Sequence, residues 1–172
     1  MEFRDLKSNE IEIRVGTVKE KGVSLLLYKD ARCDMIILDE TVGNMHWQRH
    51  HLRDNQNCIV SIYCTEKQQW IEKEDTGTES FTEKQKGLAS DSFKRACFNW
   101  GIGRELYTAP FIWIQEGGVN ISKRGDKFTT YDKFEVEKIA VKDKQIIGLT
   151  IKNVKLGKRV FTFIKQDDNG SK

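Results

Sequence analysis

"GLASDSFKRACFNWGIGRELY" (residues 87–107) is the stretch from which the rest of this sequence is read. At about 100° per residue, Ala89, Phe93, Ala96, Cys97 and Trp100 gather on one side of a helix, within about 100° of arc. That side is the candidate core face. The opposite side carries Ser90, Asp91, Lys94, Arg95, Phe98 and Asn99. Lys94 and Arg95 straddle its centre and Phe98 lies between them on the wheel. An outward aromatic flanked by two cations implies a cover, either another subunit or a ligand with flat rings and negative charge. Nucleic acid is such a ligand, since phosphates take the cations and exposed bases offer ring faces for stacking. The plainer alternative pairs Asp91 with Arg95 at i,i+4, worth only about 0.2–0.5 kcal/mol, and leaves Phe98 as stray surface. "GIG" at 101–103 follows a helix, so it reads as a C-cap turn and not as a dinucleotide fingerprint.

Upstream of this helix, "EIEIRVGTV" (10–18) alternates apolar and polar side chains as a half-buried strand does. "KEKG" turns the chain and "VSLLLY" pairs back as a hairpin. "DARCDMIILDETVG" (30–43) has an Asp start signal and a Gly stop, which predicts a helix. "MHWQRHHL", "NCIVSIYCT" and "QQWIEKED" predict three strands, with the joins "RDNQ" and "EK" short enough for hairpins. The long helix follows over about 80–100, then "YTAPFIWI" as an extended apolar segment. "FEVEKIAV", "QIIGLTIKNV" and "KRVFTFI" predict three further strands separated by the tight turns "KDK" and "KLG". The expected class is α+β. It comprises an antiparallel β-meander and hairpins with a long helix packed across the sheet (a β-β-α-β-β-β-α core) plus C-terminal antiparallel strands. Residues 1–165 are expected to form a single domain, and the tail 166–172 to be disordered.

Composition narrows the function classes. The 172 residues are 38% hydrophobic and 32% charged, with a formal net charge of +3. The charge is uneven: residues 1–118 hold 16 Lys and Arg against 19 Asp and Glu, and residues 119–172 hold 13 against 7. A basic C-terminal third suits a polyanion-facing surface, or simply a solvated strand face. Cys33, Cys58, Cys64 and Cys97 match neither a zinc pattern nor a redox CxxC, and read as small buried thiols in a reducing compartment. No apolar run resembles a signal peptide or approaches the roughly 20 residues of a membrane span. A soluble cytoplasmic protein is the expectation.

The residues also carry a resemblance. "EKQKGLASDSFKRACFNWGIG" resembles the signature helix of single-strand annealing proteins of the Rad-fifty-two superfamily, including phage recombinases of the Sak type. The family pattern is a basic residue, a small residue, Ser/Thr-Asp, two positions, then Lys-Arg-Ala. Here these are Lys86, Ala89, Ser90-Asp91 and Lys94-Arg95-Ala96, with Trp100 and Gly101 one turn later. "YKDARCDMIILDETVGNMHW" resembles the family's first helix, ending in Gly43 and leading to Trp47. The likeness covers about residues 24–115, fades over the C-terminal strands, and looks most like a phage or prophage member acting in a bacterial host.

The resemblance implies ATP-independent binding and annealing of single-stranded DNA in homologous recombination and repair, with no enzymatic activity and no cofactor. It assigns the DNA-binding groove to Lys94 and Arg95, with Lys86 as the motif's leading basic residue. Arg32 is the nearest match to a further groove residue, with Cys33 one position away as the other candidate. It also implies a homo-oligomeric ring, and work beside a phage exonuclease and a host single-strand binding protein. The chain departs from the eukaryotic pattern at Phe98, which stands where those members carry a further Arg; stacking or subunit packing is the expected substitute role.

Other constellations yield less. No GxxxxGK[ST] loop appears, so ATP use has no visible basis. His46, His50 and His51 lie close together, but on a strand His46 and His50 share a face and His51 points away, which argues against a common metal. "WQRHHLR" puts Arg49 and Arg53 forward as a second, outer groove. A metal-dependent nuclease would need converging carboxylates, whereas the acidic residues here alternate with Lys on strands. A single-strand-coating protein without annealing activity is the other alternative. Lys142, Lys144, Lys155, Lys158 and Arg159 cluster at hairpin turns, suiting either phosphate contact or edge protection.

Overall fold

Asp30 opens the first helix as its side chain predicts. In the computed structural model, which describes residues 1–78 and 84–166 with the side chains of 84–86 excepted, Asp30 is the N-cap of α1 (Ala31–Val42). Its carboxylate accepts the Arg32 backbone N–H at 2.7 Å, filling one of the donors that a helix start leaves open.

The chain is mixed α/β, mostly antiparallel strands with two helices among the described residues. In order these are β1 (Ile11–Lys19), β2 (Gly22–Lys29), α1, β3 (Trp47–Leu52), β4 (Asn57–Cys64), β5 (Gln69–Thr76), α2 (Lys84–Trp100), β6 (Ile112–Gln115), β7 (Ser122–Arg124), β8 (Lys127–Thr129), β9 (Phe134–Lys142), β10 (Gln145–Asn153) and β11 (Lys158–Ile164). Short 3-10 turns cover Ser8–Glu10 and Arg104–Thr108. Within the stretch read as one domain, the packing separates two compact units. One holds Met1–Asp5 with Asp30–Arg104; the other holds Leu6–Lys29 with the described residues from Glu105 on.

The first unit is an antiparallel meander, β3-β4-β5, crossed by α2 over β4 and β5. Strand register sorts its side chains. Trp47, Arg49 and His51 of β3 stand opposite Ile62, Val60 and Cys58 of β4, and these stand opposite Ile71, Lys73 and Asp75 of β5. Residues directly opposite share a sheet face, and this face meets α2. Phe93 is its anchor, fully buried and stacked on Trp47 at 6.1 Å between ring centroids. Ala96 and Cys97 are buried beside it, as the wheel predicts, and so is Ser92, which the wheel did not single out. The Ser92 hydroxyl donates to the Asn55 carbonyl at 3.0 Å, satisfying a buried polar group while tying the β3–β4 turn to the helix. The helix ends in a Schellman turn: Gly101 N–H reaches Phe98 O at 3.0 Å and Ile102 N–H reaches Cys97 O at 3.2 Å. Gly101 takes φ 103°, a region that L side chains avoid.

The second unit is a six-stranded sheet of order β11-β10-β9-β1-β2-β6, antiparallel throughout. Val23, Leu25, Ile112, Ile114, Ile146, Leu149 and Ile151 form its buried apolar face. The small hairpin β7-β8 forms a sheet of its own.

Three expectations need correction. "YTAPFIWI" is not extended throughout: its first residues belong to the turn Arg104–Thr108, and the strand starts only at Ile112. The Thr108 hydroxyl accepts the Ile146 N–H at 2.8 Å and donates to Glu105 O at 2.7 Å, so hydrogen bonds outside the segment fix its shape. β3 begins at Trp47, leaving His46 before the strand, where its N–H bonds Gly43 O at 3.1 Å; the argument about which histidines share a face therefore applies only to His50 and His51. The hairpin β7-β8 was not anticipated at all.

Candidate nucleic-acid interface

The cations on the outward face of α2 differ in what each one meets. Arg95 extends toward β5, and its Nε donates to Asp75 Oδ1 at 3.2 Å. Asn99, one turn on, donates to the same aspartate at 3.2 Å and to Glu74 O at 2.9 Å. The side chains of Arg95 and Asp75 remain 44% and 24% exposed, so their pairing contributes on the order of 0–1 kcal/mol. Asp91 does not pair with Arg95 at i,i+4; its carboxylate accepts the backbone N–H and hydroxyl of Thr78 at 2.9 and 3.1 Å.

Lys94 differs. It is half-buried and forms no hydrogen bond or ion pair with another described residue. Its charge is felt at the start of α1. The Arg32 guanidinium, hydrogen-bonded to Asp30 at 2.6 and 3.0 Å, holds that carboxyl below the ordinary carboxylate range, and the Lys94 charge adds to the effect. Lys94 and Arg32, distant in sequence, thus act on one carboxylate. The Arg32 side chain is 83% exposed.

Phe98 is half-buried under Arg104, whose guanidinium carbon lies 5.5 Å from the ring centroid. Arg104 also donates to Phe98 O and Asn99 O, both at 2.9 Å, and Lys73 Nζ reaches Asn99 O at 2.8 Å. Both cations satisfy the carbonyls left over at the end of α2 and complement its dipole. Sequence reasoning missed them; a basic residue directly after a Gly-ended helix was the available signal.

Arg49 lies over the buried Phe93 ring at 4.8 Å, so part of its guanidinium serves the core rather than an outer surface. Arg53 is exposed at the β3–β4 turn, where Arg53, Asp54 and Asn55 all take positive φ (51°, 52° and 70°). The two are therefore separated: Arg49 faces α2 and Arg53 faces solvent at the turn. Lys86 belongs to α2, but its side chain lies outside those described. Lys94 and Arg32 thus act on a common carboxylate, Asp30, and Arg95 and Phe98 lie on the same helix face. His51 is held below its ordinary pKa by burial first, then by the Arg49 and His50 charges. Burial pushes the Cys58 thiol up to about 11, which keeps it an inert core group. Among the described residues no three His, Cys, Asp or Glu side chains are placed to hold a metal ion, and no helix is long and apolar enough to cross a membrane.

Compared with protein-family models, with curated proteins and with solved structures, the chain matches none.

Proposed function

We propose that this chain binds single-stranded DNA and anneals complementary strands without ATP, in recombination or repair. The observation that carries the reading is Lys94: a half-buried residue that forms no hydrogen bond or ion pair with another described residue, whose charge acts on the same Asp30 carboxylate as the exposed Arg32, and which lies on the helix face of Arg95 and Phe98. An amine with no carboxylate to leave is available to an incoming phosphate, and the hydrogen bond it forms there is charge-assisted. Arg32 and Arg95 each exchange a partly exposed carboxylate, in a pair worth at most about 1 kcal/mol, for phosphate. Each phosphate engaged releases condensed counterions, the main source of affinity for a strand.

The succession β-β-α-β-β-β-α is read here as the core of an annealing fold, with the sequence resemblance as its support. Pairing needs no nucleotide chemistry. A strand held by its phosphates with bases free loses its self-structure and presents an ordered template, lowering the entropic cost of meeting its complement. In this reading the protein is not an enzyme and uses no cofactor. It assembles as a homo-oligomeric ring that joins short grooves into one track, in the bacterial cytoplasm. It is of phage or prophage origin, beside an exonuclease and a host single-strand binding protein.

The test is fluorescence anisotropy of a labelled oligothymidylate at low salt. Wild type should bind, and Lys94→Ala/Arg95→Ala should weaken binding about tenfold and lower the log–log salt slope by about 1.4, at roughly 0.7 per lost phosphate contact. Equal affinity and equal slope for the two proteins would remove α2 from the interface.

A further inference from the structure

The second unit carries a cationic and aromatic hairpin that nothing above uses. In β7-β8, Lys123 stands opposite Phe128, Ser122 opposite Thr129, and Arg124 opposite Lys127. Opposite residues share a face, so one face presents Lys123 with Phe128. The other presents Arg124 and Lys127, and Tyr131 continues the parity of that strand. Contacts match this sorting: Lys123 Nζ is 5.7 Å from the Phe128 ring centroid, and the Arg124 guanidinium carbon is 5.4 Å from that of Tyr131. Lys123, Arg124 and Lys127 are all exposed, and Tyr131 is 65% exposed. None of these three cations forms an ion pair with another described residue. Gly125 at the tip takes φ 58°, which allows the tight turn that places the cations side by side.

The base of this hairpin is built firmly. Asp132, buried, accepts the Asn120 N–H at 2.7 Å, the Asn120 amide at 3.1 Å and the Asn153 amide at 2.8 Å. Asn153, fully buried, also donates to Gly118 O at 3.0 Å and accepts the Lys155 and Leu156 N–H groups at 3.0 and 3.2 Å. These bonds tie the residues on either side of the hairpin to β10. Two buried polar side chains thus fix the base of a hairpin whose tip is solvent-exposed. Such preorganisation lowers the ordering cost of binding.

We propose that β7-β8 is a second binding site for single-stranded nucleic acid, with phosphates on Lys123, Arg124 and Lys127 and a base stacked on Tyr131. Three cations without carboxylate partners set the charge of the ligand, and an accessible ring beside them selects an anion that carries flat rings. The proposal takes its ligand class from the single-strand reading above, but its residues lie in the other unit and can be tested separately.

The experiment again uses a labelled oligothymidylate, with Lys123→Ala/Arg124→Ala/Lys127→Ala and Tyr131→Ala beside wild type and the α2 double variant. All substituted side chains are exposed, and an unchanged thermal melt establishes that the variants fold. The triple variant should bind about tenfold or more weakly at low salt, with the salt slope reduced by about 2. Tyr131→Ala should lose about five- to tenfold for the oligonucleotide and nothing for heparin, which has charge but no bases. If wild type binds and the α2 variant is impaired while both hairpin variants match wild type, this proposal falls and the α2 reading stands. If wild type does not bind the oligonucleotide at all, both fall. Loss of heparin and oligonucleotide binding in equal measure, with Tyr131→Ala silent, would overturn base recognition. So would binding to phosphatidylserine vesicles in place of the oligonucleotide.

Discussion

The outward face of α2 and the hairpin β7-β8 both combine cations with aromatic rings, and they differ in what already occupies the cations. Around α2, Arg95 is met by Asp75 and Arg32 of α1 by Asp30, Arg104 after the helix end caps carbonyls, and of the four only Lys94 forms no hydrogen bond or ion pair with another described residue. On β7-β8, Lys123 and Arg124 rest on aromatic rings and meet no described carboxylate. A count of basic residues scores the two regions alike. Charge available to a ligand separates them, because a cation that must leave a carboxylate contributes less than one that does not. Burial separates them too: the α2 ridge stands on a hydrophobic core, and the hairpin stands on a polar clamp.

Six substitutions press on that difference. The largest effect is expected from Phe93→Ala, which empties the buried site between Trp47 and Arg49. A loss of about 3–5 kcal/mol is expected by urea denaturation, and a loss under about 1 kcal/mol would show that the core of the first unit lies elsewhere. Asp132→Ala strands the buried amide of Asn153 and removes the partner of the Asn120 N–H, and should cost about 1–3 kcal/mol.

Asp132 also gives a pH signature. Burial acts to raise its pKa, but the Asn120 backbone, the Asn153 and Asn120 amides and the Lys155 charge together hold it below the ordinary carboxylate value. A folded pKa below the unfolded one means that its stabilisation is complete above the ordinary carboxylate range, near pH 4. It fades as pH falls through the lowered folded value. Stability of wild type should therefore fall more steeply in acid than that of Asp132→Asn. Parallel acid titrations of the two proteins would contradict the clamp.

Smaller effects concern binding. Lys94→Ala should weaken oligonucleotide affinity more than Arg95→Ala, about fivefold against about twofold, because Arg95 begins in a pair worth at most about 1 kcal/mol. The reverse order would mean that the Asp75 contact does not hold in solution. Smallest of all, Asp75→Asn frees Arg95 and should raise affinity by less than about twofold at a stability change below about 1 kcal/mol. Weaker binding by Asp75→Asn would show that Asp75 positions Arg95 for the ligand instead of competing with it.

Much of this was legible before any coordinates. The Asp30 cap, the Gly43 stop and the Gly101 turn follow from local chemistry, and the strands from alternation, because in each case the determining residues are neighbours. The buried face of α2 followed from its period. What the sequence hid is long-range. Arg95 finds Asp75 twenty positions away, and Asp30 feels Lys94 across the packing of α1 and α2; neither spacing has a sequence signature. The divisions between units fall at Asp5/Leu6, Lys29/Asp30 and Arg104/Glu105, where no Gly- or Ser-rich linker marks the place. The hairpin β7-β8 escaped because three-residue strands are too short for alternation to register. "RGDK" between "SK" and "FT" was its only punctuation.

The most direct measurement of the central claim is the rate at which two complementary oligonucleotides pair, without ATP, in the presence of wild type or of Lys94→Ala/Arg95→Ala. The account predicts that wild type accelerates pairing and that the double variant loses most of the acceleration. Acceleration undiminished in the variant would take the function away from α2. Tight binding by wild type with no acceleration would identify a strand-coating protein and contradict annealing.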